Sequence, residues 1–230
     1  MRFLIALVIA VALVVACEKP LKRRPSPFYL ASIALVGAYF YGSAVNATGG
    51  LWPYFLPLMQ RCALAFMLFS VVMFAGVLKD SSPLKMRILP VRRQLSIMAC
   101  IFSAGHIAYY AASYLPRIAS TPSVALAFSL ALAFVLVALM AVLLATSLLA
   151  VKQRLSASVW KGIQRLAYPF YLLIYAHLAL LLIPPALSGK ETALVSLSVY
   201  TVVMVVYAVC RTRRALLCRT KTPSSSRVAA

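Results

Sequence analysis

Apolar runs separated by basic clusters constrain this chain more than any motif does. They cover about residues 2–17, 28–46, 58–78, 94–114, 123–149, 167–186 and 193–210, and a helix needs about 20 apolar residues to cross the hydrocarbon core of a bilayer. The first run is short and the fifth long, but the repetition specifies an all-α integral membrane protein with several crossings. Composition points the same way: 64% of the 230 residues are hydrophobic and only three are acidic, whereas an ordinary soluble domain is roughly half apolar.

A formal charge of +20 raises the possibility of a nucleic-acid partner. Such binding needs Lys and Arg gathered as a stripe on one solvated face. Here 19 of the 23 basic residues fall in four connecting or terminal segments, at 19–24, 79–93, 152–165 and after Tyr207, and the other four, Arg2, Arg61, Arg117 and Lys190, lie near the opposite ends of the runs. That alternation is the positive-inside pattern. It predicts a multi-pass cell-membrane protein with its N-terminus outside and its C-terminus cytoplasmic, facing membrane lipid and no nucleic acid. The stretch "VVAC" at 14–17 resembles a lipoprotein cleavage site after a charged, then apolar, leader. Cleavage there would invert every later loop, so charge parity favours a retained first helix. The five cysteines show no CxxC spacing and read as small apolar side chains.

Side chains able to do chemistry within the spans are few, and the two histidines, His106 and His177, stand out. An intramembrane ionisable group marks function by default. His106 lies 13 residues past Arg93 and His177 12 past Arg165, which at 1.5 Å rise puts both about 18–20 Å from the basic end of helices running the same way. Two imidazoles at one height suit axial ligation of one metal from opposite sides, as a bis-histidine haem requires. Zinc would ask for three or four ligands, and no acid stands near this level. Small residues, Ser103, Ala104, Gly105 and Ala176, flank the pair and leave room for a flat macrocycle, with Tyr109, Tyr110, Tyr171 and Tyr175 as pocket edges. No GxGxxG or Walker motif is present. Two other classes stay open: a small transporter or channel using the histidines for proton or substrate passage, and a scaffold that has lost its cofactor.

The segments "LPVRRQLSIMACIFSAGHIAYY" and "TSLLAVKQRLSASVWKGIQRLAYPFYLLIYAHLALLL" resemble the ferric-reductase-like transmembrane domain family, particularly the haem-binding membrane subunit of the bacterial periplasmic methionine sulfoxide reductase system. The resemblance covers about residues 28–210 and implies a six-helix haem-binding core. Residues 1–27 then form an added N-terminal helix with a basic cytoplasmic loop, and 211–230 a basic cytoplasmic tail. It also implies b-type haem and passage of electrons from a quinol or partner flavoprotein to an acceptor on the outer side, in the manner of a ferric reductase or a methionine sulfoxide reductase membrane subunit. The terminal reductase would be a separate polypeptide. Fuller relatives carry two histidines on each ligating helix, about 13 residues apart. Here His106 and His177 match the outer pair, while Arg93 and Gln164 stand where the inner pair would be. Arginine has no lone pair for iron and an amide is a poor axial ligand, so one haem is expected, not two. Arg61, a charge placed about one turn inside its span, is a partner for a haem propionate, with Arg117 a weaker candidate. Gln164, Arg165 and Trp160 mark an inner mouth.

Overall fold

The computed structural model describes residues 2–114 and 124–220. Arg117 lies outside them, as does the tail beyond Thr220. Ten helices follow one another in the described residues: α1 (Arg2–Arg23), α2 (Ser26–Ala44), α3 (Trp52–Gln60), α4 (Ala63–Ala75), α5 (Pro83–Tyr114), α6 (Val124–Ser147), α7 (Leu149–Lys152), α8 (Ala157–Gln164), α9 (Ala167–Leu187) and α10 (Glu191–Thr220).

The chain is an all-α, multi-pass membrane protein. Each of the seven apolar runs has become helical. By length and apolar content, α5, α6, the α8–α9 segment and α10 qualify as membrane spans, and α3 with α4 makes a fifth if that bent pair is one crossing. α2 carries Tyr, Ser and Gly among its apolar residues. The expected bounds moved most at the basic ends. α1 continues past Cys17 to Arg23, and α10 runs ten residues beyond 210 to Thr220. Basic side chains tolerate helix well and snorkel from its end, so charge alone does not stop a span.

α4 is the hub. Every one of its residues except Phe74 is buried, as expected of a helix that is apolar on all sides. α5, α1 and α3 pack around it, α2 covers α5, and α6 and α10 flank α9. Side chains join α4 to α9: Phe66 stacks on Tyr171 with centroids 5.6 Å apart, Phe69 meets Phe170 edge-on at 5.2 Å, and the Ser70 and Tyr171 hydroxyls share a 2.7 Å hydrogen bond. Outside the core the surface remains apolar, with Leu30, Phe128, Phe134, Leu172, Val202 and Val209 among the exposed side chains. In water such a surface is an interaction site. In a bilayer it faces acyl chains.

The basic end is tied together by a single acid. Asp80, in the α4–α5 turn, accepts from Lys85 and from Arg214 of α10 at 2.7 Å each, and Arg214 also donates to the Leu78 carbonyl. These donors and their charges hold the Asp80 carboxyl down to about 2.

Candidate functional site

The histidine level begins with a broken helix. α3 ends at Gln60, the axis turns by 59° over Arg61 and Cys62 into α4, and Cys62 takes a left-handed φ of 54°, an uncommon conformation for a residue with a side chain. The break takes the Gln60 carbonyl out of the helical ladder, where the last carbonyls of a helix need other donors. His106 of α5 fills that need: its Nδ1 lies 2.9 Å from the Gln60 oxygen. His177 of α9 makes the matching contact with α6, its Nδ1 lying 3.1 Å from the Ser129 carbonyl and 3.2 Å from the Ser129 hydroxyl.

A carbonyl oxygen only accepts, so in both rings the proton sits on Nδ1 and the lone pair is left on Nε2. Both imidazoles are half-buried. α5 and α9 have no extended backbone contact with each other among the described residues; α4 and α6 lie between and beside them. The arrangement therefore offers two oriented ring nitrogens from two helices that stand apart. Among the described residues no group of three or more His, Cys, Asp or Glu gathers.

Several expected neighbours sit differently. Gly105 does not open the histidine pocket: a Cβ there would lie 2.7 Å from Val36 Cγ1, so its role is the close approach of α2. Ser103 turns to the Cys62 thiol, 3.8 Å away. Tyr110 does lie against the His106 ring, at 4.7 Å between centroids, and Tyr109 packs on Tyr39 at 4.9 Å. Tyr171 belongs to the α4 contact, and Tyr175 bonds Thr201 of α10 at 2.8 Å. Neither edges the histidine level, because α9 turns those faces toward α4 and α10. Arg61 is not one turn inside a straight span. It is the exposed C-cap of α3, next in sequence to the carbonyl that holds His106.

Toward the basic end the same helices enclose a cavity of about 340 Å³, with Arg93, Gln164 and Trp160 in its lining. Gln164 donates through Nε2 to the Thr146 hydroxyl at 3.0 Å, and Trp160 donates to the Thr146 carbonyl at 3.0 Å. Thr146 thus anchors α8 to α6. Arg165 caps α8 and is exposed.

Ser129 and the Gln60 carbonyl were not anticipated. Ser129 had a signal, as the lone hydroxyl between Val124 and Ala145. The Gln60 carbonyl had none, since every residue contributes one.

The family model described as "Ferric reductase like transmembrane component" matches residues 61–175, half of the chain. The match contains His106 and ends two residues before His177. An uncharacterized protein of Treponema pallidum (strain Nichols) is 37% identical over 222 residues, which covers 94% of this chain and 61% of that protein. The chain thus spans about three-fifths of that relative's length.

Proposed function

The chain belongs to the ferric-reductase-like transmembrane family, and on that premise we propose that it is a membrane electron-transfer protein holding one b-type haem between His106 and His177. The observation that carries this reading is the matched state of the two rings. Each commits Nδ1 to a backbone carbonyl, Gln60 in one case and Ser129 in the other, and keeps Nε2 free. Metal-ligating histidines almost always donate their second N–H in this way, which fixes ring orientation and raises ligand basicity. The donor set fits the group: two imidazoles and no competing carboxylate. When bound, haem supplies a one-electron iron couple whose potential the surrounding protein tunes.

The chain's own residues have distinct tasks in this reading. His106 and His177 bind and orient. The α3–α4 break supplies the acceptor for one ring, and Ser129 supplies it for the other. Arg61, exposed beside Gln60, offers a guanidinium to an acidic edge of the ligand. Tyr110 packs on the His106 ring and keeps water from it. Arg93 and Gln164 cannot serve as a second pair, since the guanidinium has no lone pair and the Gln164 amide is engaged with Thr146. One haem per chain follows.

The basic clusters support a reading in which the basic end is cytoplasmic and the histidines stand toward the outer leaflet. The donor is then a membrane quinol or a partner flavoprotein, and the acceptor lies outside, served by a separate terminal reductase for ferric iron or methionine sulfoxide. The test is the absorption spectrum of the purified full chain from haem-replete cells. A dithionite-sensitive b-type spectrum at about one haem per chain is expected. A well-folded, colourless preparation would end the proposal.

A further inference from the structure

The cavity toward the basic end has a composition that neither the histidines nor their ligand explains. Its rim carries three cations, Arg92 and Arg93 from α5 and Lys152 from α7. Its depth is apolar, walled by Phe69, Met73, Ile97, Met140, Leu143 and Phe170. The chain has only three acids, and both ion pairs among the described residues converge on Asp80. The rim cations therefore have no carboxylate partner there. Lys152 rests over the Trp160 ring, 5.0 Å from its centroid, and Ser147 adds a hydroxyl to the lining.

Three like charges around one opening repel one another unless an anion stands between them, and in a low-dielectric surround that repulsion is poorly screened. At about 340 Å³ the space equals roughly eleven water molecules at ~30 Å³ each, several times what a phosphate group needs. The surplus is lined mostly by apolar side chains, with Ser96, Ser147 and Gln164 among the uncharged polar groups there. Leu89 belongs to the lining and is 49% exposed on the outside of α5, so the cavity reaches the surface that faces acyl chains. Basic pockets between membrane helices at the cytoplasmic side suit acidic lipid head groups.

We propose that this cavity is a binding site for an anionic phospholipid of the basic-side leaflet, its phosphate held by Arg92, Arg93 and Lys152 and the start of one acyl chain lying among Met73, Ile97, Met140 and Leu143. The site fills the part of the bundle where Arg93 and Gln164 stand, and it binds whether or not iron is held at the histidines. A flavin nucleotide would share the phosphate, and a quinone would share the apolar body. The cationic rim argues against the neutral quinone, and the opening beside Leu89 favours a ligand that arrives from the bilayer.

The experiment uses the full chain, purified and stripped of lipid in detergent, titrated with dioleoylphosphatidylglycerol or dioleoylphosphatidylcholine and read by native mass spectrometry. Haem content is followed on the same samples, so loss of lipid and loss of haem are scored separately. One tightly retained phosphatidylglycerol per chain is expected, with phosphatidylcholine at least tenfold weaker. Arg93→Gln should weaken the acidic lipid about fivefold, and the triple change Arg92→Gln, Arg93→Gln, Lys152→Gln about a hundredfold. Arg93→Lys should keep most of the binding. Arg154→Gln, an exposed cation outside the cavity, should change nothing. Should a variant fail to fold, the preference of the wild-type chain for phosphatidylglycerol over phosphatidylcholine decides alone. Equal retention of both lipids, unchanged binding in the triple variant, or a stoichiometric flavin or quinone in the organic extract of the untreated protein would each overturn the assignment.

Discussion

At the level of His106 and His177 the bundle presents two imidazoles, each held through Nδ1 by a neighbouring backbone carbonyl. One span-half nearer the basic end, α5 and the α8–α9 segment present Arg93 and Gln164, a fixed cation and an amide already bonded to Thr146. The same helices thus build two unlike sites, 13 residues apart on each. At the upper level polar groups are paired off so that two nitrogens stay available. At the lower level cations surround an open volume. The difference teaches that one pair of helices can present two depths with unlike side chains, which under the proposed readings would take iron above and an anion below.

The contrast breaks most completely at the histidines. His106→Ala and His177→Ala are each expected to abolish the b-type spectrum, since one imidazole alone leaves the other side of the site without a protein ligand. Gln164→Ala should leave most of it. Loss of colour in Gln164→Ala with retention in His177→Ala would show that the ligands have been misassigned.

Removing the difference between the levels is the next largest change. Arg93→His combined with Gln164→His gives the lower cavity two imidazoles at the spacing of the upper pair. The haem-to-protein ratio of the double variant is expected to rise above one, with neither single variant reaching it. A ratio that stays at one would mean that the lower cavity cannot orient its rings, for lack of acceptors such as Gln60 and Ser129.

The packing that sets the upper level offers a third test. Gly105→Ala drives a Cβ to 2.7 Å from Val36 Cγ1, and overpacking of this kind costs about 1–3 kcal/mol. A lower thermal midpoint and partial haem loss are expected, and Val36→Ala in the same chain should restore much of both. If the second change gave no recovery, α2 would not be what limits the approach to α5.

How much of this could be read from the sequence differs between the two levels. The helical membrane fold and the two histidines follow from apolar length, basic clusters and the rarity of imidazole, all of which are local properties. Gln60 and Cys62 illustrate what is hidden. The helix break between them has neither proline nor glycine at residues 60–62, and Pro57 lies inside α3 one turn earlier without marking where the axis turns. Gly105 shows a second limit. A small residue beside a histidine fits both an open pocket and a close helix crossing, and only the position of Val36 separates them. The cavity is hidden for the same reason, since Arg93, Lys152 and Met140 are far apart in sequence and are gathered by packing.

The smallest effect is expected at Asp80, which lies at the basic end below both sites. Its carboxyl sits at about 2, held there by Lys85 and Arg214, against an ordinary value near 3.8. A carboxylate whose folded value is lowered adds stability above its unfolded value and loses it as pH falls through the folded one. The α10 tie should therefore be complete above about pH 4 and disappear toward pH 2. The Asp80 side chain is 84% exposed, so salt screens the attraction strongly. Asp80→Asn should lower the thermal midpoint slightly at low ionic strength and not measurably at high salt, with haem content and lipid retention unchanged. If Asp80→Asn instead released lipid from the cavity, the tie between α10 and the α4–α5 turn would be shaping the lower site, and the two levels would no longer be independent of the helix end that secures them.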